Sequence, residues 1–226
     1  MRKLLFAVAV GFASFNLFAA ANATVFVFKG DSVLVTDVPT GNIAFDCGTV
    51  GTDFCTGVDA DGFDYSKDGI DVNATAFTSA GPTQLIQDIT PDNSGLGALS
   101  EGGNIDDQTQ FDSDEWIEFT FNQEVFLTNI EFNAGNDTDC STFGSEGPCG
   151  DFDLWIDGVF FSSETAVDLL TTVFVGTVFT FFPTTEMAGF AIGQFEVTAV
   201  PLPGALTLML SGLAGLAFAS RRKRTV

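Results

Sequence analysis

Between residues 24 and 200, apolar and polar side chains alternate on a two-residue period in one short run after another. That period belongs to half-buried strands. Thr24-Val25-Phe26-Val27-Phe28 and Ser32 to Thr36 are the first such runs, rich in β-branched and aromatic residues. The stretch from Asp46 to Lys67 is dense in Gly and Asp and predicts loop. Ile70 to Thr78 then alternates cleanly, as does Gln84 to Ile89. Thr90 to Ser113 carries no apolar period and predicts a long loop.

The clearest pattern follows. In Glu115-Trp116-Ile117-Glu118-Phe119-Thr120-Phe121, Ile117, Phe119 and Phe121 fall on one face, and Trp116, Glu118 and Thr120 on the other. Asn122-Gln123 is expected to turn the chain into a second strand, Glu124 to Phe132, with Phe126, Ile130 and Phe132 on one side. Asp151 to Ile156 alternates acid and apolar, and Asp157-Gly158 is a strong hairpin signal into Val159-Phe160-Phe161. Val173 to Phe182 reads as a near-continuous apolar strand, and Phe195 to Val200 as the last. About ten short strands separated by turn signals predict an all-β domain, a β-sandwich of the jelly-roll kind.

The two ends break this pattern. Met1-Arg2-Lys3, an apolar run from Leu4 to Phe18, and small residues up to Ala23 have the form of a secretory signal peptide. Cleavage is expected after Ala23, with Ala21 and Ala23 as the small-residue pair. At the other end, Gly204 to Ser220 are 17 residues without a charge. As a helix they would be ~26 Å long, close to the ~30 Å hydrocarbon core of a bilayer. Pro201 and Pro203 suit the entry of that helix, and Arg221, Arg222, Lys223 and Arg224 would hold its end in the cytoplasm. The chain therefore divides into a signal peptide (1–23), an ectodomain (24–200) and a C-terminal membrane stretch (201–226, helix 204–220).

Val200-Pro201-Leu202-Pro203, the run Ser211-Gly212-Leu213-Ala214-Gly215-Leu216 and the terminal basic cluster together resemble the PEP-CTERM sorting signal in its VPLPA variety. Gly204 stands where that variety usually has Ala. The resemblance implies export by a Gram-negative bacterium that also makes extracellular polysaccharide. It further implies a membrane-embedded cysteine transpeptidase, an exosortase, that recognises and removes the tail. The segment from Gly95 to Phe132, with Phe152-Asp153-Leu154, also resembles a pattern common in PEP-CTERM ectodomains, one that carries no assigned activity.

Charge sharpens the picture of the ectodomain. Of 8 Lys+Arg, two lie in the signal peptide and four in the tail, which leaves Lys29 and Lys67. All 30 Asp+Glu lie between, so residues 24–200 carry 2 − 30 = −28. Such a surface repels nucleic acid and anionic lipid.

Histidine is absent, which eliminates Ser-His-Asp and Cys-His catalysis and His-ligated zinc. No nucleophile elbow or phosphate-binding loop is present. Four cysteines form two close pairs, Cys47/Cys55 and Cys140/Cys149. Three pairings are possible, and two local disulfides are expected in an exported chain.

Hard cations are the best candidate chemistry, because Ca²⁺ takes six to eight oxygen ligands. Asp59/Asp61/Asp64, Asp106/Asp107/Asp112/Asp114/Glu115, and Asp137/Asp139 with Asp151/Asp153 offer them, the middle group being favoured since it ends on the best strand. Plain solvation of acidic loops is the alternative. Among aromatic residues, Trp116, Trp155 and Tyr65 are the candidate platforms for stacking a sugar ring. The reading is an exported, non-enzymatic surface or matrix protein associated with exopolysaccharide. A calcium-dependent carbohydrate-binding module is the alternative, with a glycan-active enzyme behind it.

Overall fold

The structure is a computed structural model and describes residues 22–29, 36–40, 54–56, 62–88, 95–99, 115–134, 138–140, 149–167, 169–184, 189–201 and 211–212. Among these residues lie twelve strands: β1 (Thr24–Val27), β2 (Phe54–Thr56), β3 (Phe63–Lys67), β4 (Ile70–Thr78), β5 (Gly81–Asp88), β6 (Leu96–Leu99), β7 (Glu115–Ala134), β8 (Thr138–Asp139), β9 (Asp151–Ile156), β10 (Val159–Thr165), β11 (Phe174–Pro183) and β12 (Ala191–Ala199). The domain is all-β, and every strand pairing is antiparallel.

The fold is built around β7. Its first half pairs with β4, from Val72↔Phe121 to Thr78↔Glu115, and its second half pairs with β12, from Ala199↔Val125 to Ala191↔Asn133. On its other edge both halves meet β11, which continues to β9 and then β10. The pairings β7-β4-β5-β6-β12-β7 close a ring of strands, with β1 added to β12. Inside, rings from several of these elements pack together. Phe28 meets Tyr65 at 5.0 Å and Phe119 at 6.1 Å, and Phe195 on β12 meets Phe119 at 5.0 Å. This phenylalanine core supplies the apolar burial expected of so aromatic a chain.

Several expected elements are corrected. Asn122-Gln123 does not reverse the chain, because β7 runs through it as one strand. Two-residue hairpins favour positive φ at both positions, and Gln is poorly suited to it. Instead, residues 121–124 oppose Thr177 alone, a bulge that leaves Asn122, Gln123 and Glu124 exposed. Phe126 is not on the core face: Val125 and Leu127 are buried there. The phase then changes at Asn129, which has φ 49°, so that Ile130 and Phe132 are buried. A matching bulge at Gly193 changes the phase of β12 between Ile192 and Phe195. The stretch read as loop up to Lys67 contains β2 and β3, and that from Thr90 contains β6.

The gly bulge on β12 also admits one of the two lysines. Gly193 O accepts hydrogen bonds from Phe28 N and Lys29 N, and a Cβ at Gly193 would lie 2.5 Å from Asn133 Nδ2 and 3.3 Å from Lys29 Cδ. Lys29 crosses this gap to pair with Glu131, their side chains only 10% and 15% exposed. Lys67 pairs with Asp37 at 2.8 Å and donates to Val25 O at 2.7 Å. Both cations of the −28 domain are therefore engaged with carboxylates.

Asn22 to Val200 form one compact unit. Of the C-terminal stretch, Pro201 is exposed, and Ser211 and Gly212 have helical backbone. Among the described residues no helix is long and apolar enough to cross a membrane. The rest of the expected helix 204–220, together with Leu202, Pro203, Arg221, Arg222, Lys223, Arg224, and Ala21 of the cleavage pair, lies outside the described residues.

Candidate functional site

The site grows from the parity of five strands. On β4 the inward residues are Val72, Ala74 and Ala76, which turns Asp71, Asn73, Thr75 and Phe77 outward. On β7 the burial of Ile117, Phe119 and Phe121 turns Trp116, Glu118 and Thr120 outward, as the sequence pattern requires. Register then sets neighbours across the sheet: Phe77↔Trp116, Thr75↔Glu118 and Asn73↔Thr120 between β4 and β7, and Thr180↔Glu118 between β7 and β11. Thr180 in turn faces Trp155 on β9, and Trp155 faces Phe160 on β10.

The outcome is a strip of rings across β4, β7, β11, β9 and β10. Trp116 stacks between Phe77 (centroids 5.7 Å, planes 10° apart) and Phe182 (5.0 Å, 30°). Phe182 meets the edge of Trp155 at 6.0 Å, and Trp155 meets Phe160 at 5.9 Å. Five strands at ~4.8 Å spacing make the strip about 19 Å long. Its open end is the β10 side, where Trp155 is 36% exposed and Phe160 is 47%. The Asp157-Gly158 turn that delivers Phe160 has φ of 52° and 75°, as the hairpin signal requires. The Asp157 side chain accepts hydrogen bonds from Thr177 N and Val178 N, both at 2.9 Å, which ties this turn to β11 at the residue opposite the β7 bulge.

Polar groups flank the strip. Glu118 lies one row along β7 from Trp116 and accepts a hydrogen bond from Thr180 Oγ1 at 3.3 Å. Beyond it, Asp64, Ser66, Asp71, Asn73, Thr120 and Asn122 line a shallow groove of about 340 Å³. Asp71 accepts from Ser66 Oγ at 2.6 Å and from Asn122 Nδ2 at 3.0 Å, and Asp64 accepts from Asn73 Nδ2 at 2.8 Å. An apolar strip beside oriented polar groups is an arrangement that can stack rings and bond hydroxyls.

Tyr65 borders the floor of the groove but is not part of the aromatic strip. It is buried, and its hydroxyl donates to Gln87 Oε1 at 3.2 Å. Gln87 Nε2 donates to Phe28 O at 2.9 Å and Asp37 O at 2.8 Å. Burial, with the Asp37 carboxylate adding to it, raises the Tyr65 phenol well above its ordinary value. The candidate platform at Tyr65 is thus a core residue, because its hydroxyl has a buried partner.

Of the favoured cation group, only Glu115 lies among the described residues, and it is buried at the start of β7; Asp106, Asp107, Asp112 and Asp114 lie outside them. Asp64 and Asp71 belong to the groove. Asp151 and Asp153 accept hydrogen bonds from Thr165 and Ser163 across the β9–β10 ladder. Among the described residues no three His, Cys, Asp or Glu side chains gather to hold a metal ion. Cys140 and Cys149 are joined in a disulfide with a Cα separation of 5.3 Å, while the Cys47 partner proposed for Cys55 is outside the described residues.

No family model matches the chain, and neither a curated protein nor a solved structure shows significant similarity to it.

Proposed function

We propose that this chain is an exported, non-enzymatic surface or extracellular-matrix protein whose β-domain holds polysaccharide on the aromatic strip. The observation that carries the binding part is that both tryptophans of the chain, 39 positions apart in sequence, are joined on one sheet face through Phe182. Exposed apolar area of this kind marks an interaction surface. Stacking on rings suits sugars because their axial C–H faces are apolar while their hydroxyls remain available to groups such as Glu118, Thr75 and Asn73. The architectural part of the reading is a jelly-roll-like sandwich, supported by the packing of the Phe28 ring, just after β1, against Tyr65 on β3 and Phe119 on β7. Localisation rests on the sequence of the two ends. The chain is expected to pass through the inner membrane and to be released or displayed by an exosortase acting near Pro203.

Glycan-array binding with Trp155→Ala and Trp116→Ala variants tests the binding part. Retention of a glycan by the parent and its loss in Trp155→Ala supports it. Retention unchanged by either substitution contradicts it.

A further inference from the structure

Resting on that glycan reading, we infer that the strip selects polysaccharides bearing free amines, polymers of unacetylated hexosamine, over neutral and acidic ones. The argument is charge complementarity at a stacking surface. The outward residues beside the rings include Glu118, Asp64, Asp71, Asp151 and Asp153. The two lysines of residues 24–200 are committed elsewhere, to Glu131 and Asp37. No described residue of this face therefore carries a positive charge that could receive a uronate or a sulfate. A polyanion brought to the strip would meet several carboxylates and a domain of −28, and its approach is repelled.

A protonated amine meets the opposite situation. Glu118 is held at the middle of the face by Thr180, in the row between the Trp116–Phe182 stack and the polar groove. Thr180 also stands between Glu118 and Trp155 in register. A sugar stacked on Trp155 or on the Trp116–Phe182 pair thus has a carboxylate within two strand spacings, about 10 Å between backbones, before either side chain reaches toward it. The ammonium donates a charge-assisted hydrogen bond to the carboxylate and gains a favourable position over an indole face, and neither is open to a hydroxyl or an acetamide to the same degree. The aromatic strip supplies affinity that is indifferent to charge, and Glu118 supplies the discrimination.

The test is calorimetric titration of the purified domain with three soluble hexasaccharides of the same β-1,4 linkage: hexa-glucosamine, its fully N-acetylated form, and cellohexaose. Titrations are run at pH 6 and at two salt concentrations, with Glu118→Gln, Trp155→Ala and Glu164→Gln variants. Glu164 opposes Phe152 in register and so belongs to the other face of β10, and removing it changes net charge equally. The inference expects hexa-glucosamine to bind about tenfold tighter than the other two, with Glu118→Gln erasing most of that preference and Glu164→Gln leaving it intact. Equal effects of Glu118→Gln and Glu164→Gln would show a polycation attracted only by net charge, and would overturn it. Equal binding of all three sugars, lost in Trp155→Ala, also overturns the amine preference while the glycan reading stands. Binding of none sinks both.

Discussion

Trp116 and Phe182 lie nearly face to face across β7 and β11, their centroids 5.0 Å apart, and Phe182 at the same time touches the edge of Trp155. Phe182 is thus the hinge of the strip, and the two tryptophans are not equivalent around it. Trp116 is packed on both sides and partly buried, whereas Trp155 is more open. Trp116→Ala is expected to cost about 2–3 kcal/mol, burial and stacking together, and Trp155→Ala about 1 kcal/mol or less. Thermal melts of the two variants check this. The smaller stability cost makes Trp155 the cleaner probe of binding.

Tyr65 is the single tyrosine of the chain, so tyrosinate absorbance reports one buried site. Its folded-state value is raised, which means the folded protein keeps the proton when the unfolded chain gives it up. Stability contributed this way is fully present below the unfolded value near pH 10. Above it, stability declines by up to about 1.4 kcal/mol per pH unit until the folded value is reached. Alkaline titration should show no tyrosinate before the unfolding transition. Tyr65→Phe should remove that decline, at a cost near neutral pH of about 1–3 kcal/mol for the Gln87 oxygen left without its donor.

Lys29 and Lys67 form the two ion pairs found among the described residues, yet they should respond differently to removal. Lys29→Met leaves the partly buried Glu131 without its cation, which costs about 3 kcal/mol, the low end for a buried pair. Lys67→Met loses a more exposed pair and about 1 kcal/mol or less. Urea denaturation of the two variants should rank them in that order, and only the Lys67 effect should shrink in high salt.

The charge of −28 leads to an expectation about calcium that rests on Asp106, Asp107, Asp112 and Asp114. Binding to the folded state alone adds about 2.7 kcal/mol at a hundredfold excess over Kd. The domain is expected to melt higher in millimolar Ca²⁺ than in Na⁺ of matched ionic strength, and Asp112→Asn with Asp114→Asn should remove most of the difference. Equal melting temperatures would show that these acids only solvate the surface.

Much of the sheet was legible because burial imposes strict parity. The inward set Ile117, Phe119, Phe121 and the outward set Trp116, Glu118, Thr120 follow from alternation alone, and Asp157-Gly158 announces its own turn. Asp68-Gly69, with φ of 53° and 83°, carries the same signal and marks the β3–β4 reversal that the loop reading passed over. The bulges were not legible. A bulge inserts one residue with little compositional trace, so simple alternation back from Ile130 and Phe132 puts Phe126 on the core face, whereas the phase change at Asn129 puts Val125 and Leu127 there. Tyr65 reads as an exposed platform or a buried ring until its partner is known, and that partner, Gln87, is 22 residues away. The strip depends on the strand order β4-β7-β11-β9-β10, and only long-range pairing sets that order.

Because the chain has two tryptophans and both sit on the strip, its whole indole emission comes from the proposed binding face. Titrating the domain with hexa-glucosamine while recording tryptophan fluorescence is therefore the most direct test of the account. A saturable change in emission, reduced in Trp155→Ala, is the predicted result. Binding detected by calorimetry with no change in emission would place the glycan elsewhere on the molecule and contradict the account.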